Sequence, residues 1–125
     1  MRARDNAPSK QEPPMSTLSQ ETLDSIVRII VREAAPDSVI LFGSHARGDA
    51  RPDSDVDLMV VEPEPFSAQR SRRAEYSRLS MALRDIPYAK DILLYSKAEF
   101  DYWKDSPNHV VGHASREGKV LHARH

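Results

Sequence analysis

Cysteine is absent from the 125-residue chain, which excludes a disulfide framework and a thiolate zinc site. No apolar run approaches the ~20 residues of a membrane span, and the N-terminus lacks the apolar core of a signal peptide. The expected setting is therefore soluble and cytoplasmic. An excess of one charge is missing too. The formal net charge is −1 with the signs mixed, which argues against a general nucleic-acid-binding surface. Apolar residues make up 39% and charged residues 30%, enough for one core. A chain of this size buries only about two-thirds of its unfolded surface, so edges and faces are left for a partner. The length suits one domain.

What is present divides at about residue 17. Residues 1–17 (MRARDNAPSKQEPPMST) are polar and proline-rich and read as a disordered extension, with Met15 an alternative start to Met1. Residues 18–125 form the domain. Leu23, Ile26, Val27, Ile30, Val31 and Ala34 make an amphipathic helix stripe, with Thr17 or Ser19 as N-cap and Pro36 as the stop. Val39–Phe42 reads as a buried strand and Asp55–Val61 as a second. In the second, Val56, Leu58 and Val60 face one way and Asp55, Asp57 and Met59 the other. A helix from about Ser67 to Arg84 turns Tyr76, Leu79 and Leu83 inward, and Asp91–Tyr95 is a third strand. Phe100, Tyr102 and Trp103 suggest a short helix packed on the core. Ser106-Pro107 reads as the start of another helix that Gly118 ends, and Val120-Leu121 as a short edge strand. The order predicts an α/β layer protein, one sheet with helices against it.

The chemistry lies in GSHARGDARPDSDVDLMV, residues 43–60. Alternation along a strand brings the carboxylates of Asp55 and Asp57 to one side, about 6–7 Å apart at the backbone. Like charges so placed resist burial unless something positive sits between them. Two such side chains can converge on one or two hard cations, which take oxygen ligands and bring phosphate oxygens with them. Two metals about 4 Å apart can stabilise both the attacking and the leaving oxygen of an in-line displacement at phosphorus. Asp91, opening the next strand, can project beside the pair as a third ligand. Gly43 and Ser44 mark a strand giving way to a helical turn, where backbone N–H groups and a hydroxyl can meet an anion.

Gly43-Ser44, ten intervening residues, then Asp55-Val56-Asp57 resembles the nucleotidyltransferase signature of the DNA polymerase β superfamily. The longer string is similar to the minimal nucleotidyltransferase (MNT) domains, and the resemblance runs from the first helix to Leu121. It implies a small mixed β-sheet flanked by helices, in a single minimal domain. It also implies that Gly43 and Ser44 bind the β/γ-phosphates of ATP and that Asp55, Asp57 and Asp91 are catalytic and ligate Mg²⁺, two ions in all. Asp91 would further help deprotonate the attacking hydroxyl. Arg47 stands at the family's Ala-Arg-Gly arginine, to contact phosphate or to brace the loop. Many MNT proteins are antitoxins that transfer AMP to a tyrosine of a HEPN ribonuclease toxin. The resemblance thus implies a protein adenylyltransferase with such a partner. Larger superfamily members carry a second domain for base and acceptor; none is expected in these 125 residues, and a partner would supply the missing wall.

Simpler accounts stand beside these. A solvated strand edge would explain Asp55 and Asp57 but not the spacing to Gly43-Ser44. Asp85 rivals Asp91 but sits at a helix end, and turn chemistry suffices for Asp49 and Asp53. His109 and His113 read as surface histidines rather than a metal pair. Arg70, Arg72, Arg73 and Arg78 make one helix basic, a solvated face in preference to a docking surface for an acidic partner or RNA. Two other functions compete: an antitoxin acting by binding alone, and a transferase acting on a small molecule or RNA.

Overall fold

In the computed structural model, which describes residues 18–124, the first apolar stripe folds as helix α1 (Gln20–Ala34). The expectations for residues 1–17, Thr17 as a cap among them, and for residue 125 lie outside the described residues. Ser19 caps α1 by accepting from the Thr22 N–H, and Leu23, Ile26 and Ile30 are its buried face. Ala35, with φ of 43°, turns the chain out of the helix ahead of Pro36.

Four strands follow among the described residues: β1 (Ser38–Phe42), β2 (Val56–Glu62), β3 (Lys90–Ser96) and β4 (Lys119–Ala123). They form one mixed sheet in the order β3-β2-β1-β4. β1 runs antiparallel to both β2 and β4, whereas β2 and β3 are parallel. Helix α2 (Ser44–Arg47) is one turn after β1, and α3 (Arg72–Ala82) crosses between the parallel strands. α4 (Lys97–Trp103) and α5 (Val110–Glu117) precede β4.

The alternation expected for β2 holds. Val56, Leu58 and Val60 join Val39, Leu41, Ile92 and Leu94 under α1 and α3, where Ile26, Ile30, Leu79 and Leu83 are sealed from solvent. Met59 and Val61 face the other way, with Ile40, against Val111 and Ala114 of α5. Each Val, Leu, Ile or Met side chain so buried contributes about 1.5–3 kcal/mol.

Four expectations shift. α3 begins at Arg72 rather than near Ser67, because Ser71 is the cap and Ser67 is taken by a turn in which its hydroxyl accepts from the Arg70 N–H. Tyr76 is 42% exposed: Leu79 and Leu83 fill the inner stripe and leave it on the rim. α5 begins at Val110 rather than near Pro107. His109 Nδ1 accepts from the Val111 N–H, while Arg116 donates to the carbonyls of Ser106 and Pro107 and ties that segment down as a turn. Of the aromatic trio only Phe100 packs on the core; Tyr102 is 77% exposed and Trp103 is exposed beside it, since a seven-residue helix offers the core one face. Gly118 does end α5, though with extended backbone: a Cβ there would lie 2.5 Å from Ile40 Cγ2.

Candidate functional site

The site grows from the ends of three adjacent strands. Register places Phe42 opposite Asp57 and Asp57 opposite Asp91, so the last residue of β1 shares one rung with a carboxylate on each of β2 and β3. Asp55 lies two residues ahead of Asp57 and close enough to repel it. Asp57 is half-buried, and Asp55 and Asp91 are exposed.

Chain direction then brings the Gly43 turn over this rung. Gly43 has φ of 75° and ψ of −158°, a conformation that side chains oppose. A Cβ at Gly43 would stand 2.1 Å from Asp57 Oδ2, so close approach as well as dihedral angle calls for glycine. The Ala46 and Arg47 N–H groups close onto the Gly43 carbonyl at 3.1 Å, forming α2, and Ser44 opens that turn.

Burial raises the Asp57 carboxyl above its ordinary range, and the charges of Asp91 and then Asp55 push it further; His45 and Arg47 oppose without cancelling this. Three hard oxygen donors carry more negative charge than the surrounding side chains offset. That donor set fits a hard divalent cation. Among the described residues no three His, Asp or Glu side chains are already drawn in around a common point. The carboxylates are thus neighbours rather than a closed shell.

Arg47 spends its Nε on Asp49 Oδ2, 3.4 Å away in an exposed pair, so loop bracing is its visible contact. Asp85 lines a cavity with Arg32 and Glu33 of α1, away from the rung, which leaves Asp91 as the third carboxylate. His109 is occupied by its capping bond and by stacking on Trp103, and His113 lies 3.9 Å from Glu117. The two do not act as a metal pair.

His45 and Tyr88 join the site beyond the residues expected from the motif. His45 Nε2 lies 3.3 Å from the Ser54 carbonyl, joining the Gly43-Ser44 turn to the loop ahead of Asp55. The Tyr88 ring meets the His45 ring edge-on at 6.3 Å. Tyr88 also lines a cavity of about 480 Å³ with Pro52, Asp53, Ser54, Pro87 and Ala89, at the same end of the sheet as the carboxylates. The available signal was position: His45 directly follows Gly43-Ser44, and Tyr88 just precedes the strand bearing Asp91.

Comparison with known proteins accords with this geometry. The nucleotidyltransferase domain family matches residues 23–113. A Haemophilus influenzae protein, named as probable protein adenylyltransferase MntA, is 31% identical over 81 residues, covering 62% of this chain and 67% of that protein. A crystal structure described as a toxin–antitoxin with AMP-PNP superposes with a TM-score of 0.54 at 19% identity, covering 82% of this chain and 73% of that one. A tri-AMPylated Shewanella oneidensis HEPN toxin in complex with an MNT antitoxin gives 0.51 at 18% identity, with 86% and 74% covered. At these identities the structural matches speak for the fold.

Proposed function

The chain belongs to the nucleotidyltransferase domain family, and from that membership we propose that it transfers AMP from ATP to a hydroxyl, a tyrosine in preference, of a partner HEPN ribonuclease toxin and so acts as its antitoxin. The relative named as a protein adenylyltransferase supports protein as the acceptor class, and the structural neighbours that are MNT–HEPN complexes support the partner. The observation that carries the reading is the rung itself: Asp57 opposite Asp91, Asp55 beside them, and Gly43 in contact distance above.

Asp55, Asp57 and Asp91 would hold Mg²⁺, two ions by preference, which when bound screens the triphosphate and draws electron density from the α-phosphorus. Gly43 lets the backbone lie close to an anion, and the Ser44 hydroxyl and N–H bind the β/γ-phosphate oxygens. Arg47 can leave its weak surface pair with Asp49 for a phosphate oxygen. The hydroxyl oxygen bonds to the α-phosphorus, the bond from that phosphorus to the bridging oxygen breaks, and pyrophosphate departs. Asp91, exposed at the end of the rung, accepts the hydroxyl proton. His45 holds the turn and the carboxylate loop in fixed relation through Ser54. Among the described residues no helix is long and apolar enough to cross a membrane, and a cytoplasmic setting, where ATP is supplied, is part of the same proposal.

Intact-mass measurement of the HEPN protein from the same organism, incubated with this chain, ATP and Mg²⁺, tests the proposal. The expected result is a gain of one or more adenylyl groups, reduced about 10³-fold or more by Asp57→Asn with the fold retained. Undiminished transfer by that variant would overturn the mechanism. A tight complex with no gain in mass would replace it with an antitoxin acting by binding.

A further inference from the structure

A cavity larger than the one beside the carboxylates, about 640 Å³, opens along the outer side of β3 between α3 and α4. Among the described residues no strand lies beyond β3. The Ala89 carbonyl accepts from the Val56 N–H of β2, so alternation turns the backbone of Asp91, Leu93 and Tyr95 toward β2 and that of Ile92, Leu94 and Ser96 outward. Two outward groups are occupied. Arg72 Nη1 donates to the Leu94 carbonyl at 2.6 Å, and the Ser96 N–H donates to Glu99 Oε1 at 2.8 Å, with Arg72 and Glu99 paired to each other. This blocks the edge at its C-terminal end. The N–H and carbonyl of Ile92 and the N–H of Leu94 face the cavity, directly after Asp91 on the same strand.

The rim has the composition of an interface. Tyr76 stands exposed on one side and the partly buried Tyr95 stands on the other, where it meets His109 at 6.0 Å; His109 stacks on Trp103, and Tyr102 packs edge-on against Trp103. Tyrosine, tryptophan and arginine concentrate binding energy at protein interfaces. The basic helix contributes less charge than its sequence suggests. Arg70 pairs with Glu62, Arg72 with Glu99, and Arg78 with Glu33 and Glu75. Arg73, exposed, lines the cavity. One such cation over an open strand edge suits a polypeptide bearing an acidic residue better than a tract of nucleic-acid phosphates.

We propose that the open edge of β3 docks an extended, acidic segment of the acceptor protein as an additional strand, and that a segment running along this edge delivers its hydroxyl-bearing residue to Asp91. The identity of the acceptor rests on the transferase reading above; the docking surface rests on the edge itself.

Hydrogen exchange of the full chain, alone and with the HEPN protein, tests this together with transfer kinetics. The partner should slow exchange at the Ile92 and Leu94 amides. Arg73→Glu combined with Tyr76→Ala, both surface changes, should raise KM for the partner about tenfold and leave kcat within about twofold. A complex in which those two amides exchange as before would overturn the proposal, as would unchanged KM. Slowing in the chain alone as its concentration rises would make a second copy the occupant, and slowing by a single-stranded RNA oligonucleotide would make it RNA; either refutes an acceptor segment. Slowed exchange without AMP transfer would retire the transferase reading and keep the docking surface. Absence of any complex would remove both.

Discussion

Strand β2 carries a carboxylate at each end, and the two are held in different ways. Asp57 is half-buried among like charges, with His45 and Arg47 nearby but insufficient to offset them. Glu62 is 1% exposed on the opposite face of the sheet, and it has a counter-charge built in, since Arg70 donates to Oε1. Its Oε2 is unpartnered while both neighbouring carboxyls are ionised. Burial, then a proton shared with Glu75, raises Glu62 to about 7. The source of the compensating charge separates a carboxylate that pins a loop from one that, on the proposed function, takes its counter-charge from a bound cation. At Glu62 the charge arrives from eight residues along the chain and closes the 63–70 loop against the strand, with Phe66 under the Arg70 guanidinium at 4.6 Å. At Asp57 the nearby His45 and Arg47 only partly offset burial and like charge.

Gly43→Ala is the hardest test of the Asp57 end. The added Cβ collides with the carboxylate and carries an unfavourable φ, so transfer should fall about 10²-fold or more and stability by about 1–3 kcal/mol. Initial rates and urea unfolding read the two effects. Normal activity in this variant would mean that the closeness of Gly43 to Asp57 has no functional weight.

Arg70→Ala probes the other end. Removing the built-in cation should lower stability by about 2–3 kcal/mol at pH 8, a value reduced for the partial exposure of Arg70. The loss should shrink toward pH 5, where Glu62 takes up a proton in place of the lost partner. Denaturant midpoints at the two pH values measure this, and an equal loss at both would deny Glu62 its raised affinity for protons.

The smallest effect is a slope. Glu62 titrates near 7 when folded and near its ordinary 4.5 when unfolded, so the folded state holds more protons between those values. Stability from this group should therefore decline as pH rises through that window, by about 1–3 kcal/mol in all. Glu62→Gln should flatten the decline while leaving AMP transfer near normal, as unfolding curves at half-unit pH steps would show.

Much of the Asp57 end was legible in the sequence, because strand alternation alone decides which side Asp55 and Asp57 take and a glycine-serine turn is recognisable locally. The stripe of α1 was legible for the same reason: both are patterns of near neighbours. Asp91 was legible as a neighbour of the pair, but its register was not, because the pairing of β3 on β2 joins residues 34 positions apart, and only that register puts Asp91 directly opposite Asp57. Glu62 looked like the polar end of a strand before Pro63, and nothing near it announces Arg70 as its partner. Tyr102 and Trp103 were misplaced because aromatic character implies burial only where a helix has a second face to bury.

Since Phe42, Asp57 and Asp91 occupy a single rung, the backbone positions that carry the two carboxylates stand one strand separation apart, about 4.8 Å. Drift in the helices leaves that gap unchanged. A slip of one residue in β3 would move Asp91 to the wrong face of the sheet and turn Ile92 and Leu94 out of their core together. Under the proposed mechanism, the spacing of the catalytic carboxylates is therefore inherited from the backbone.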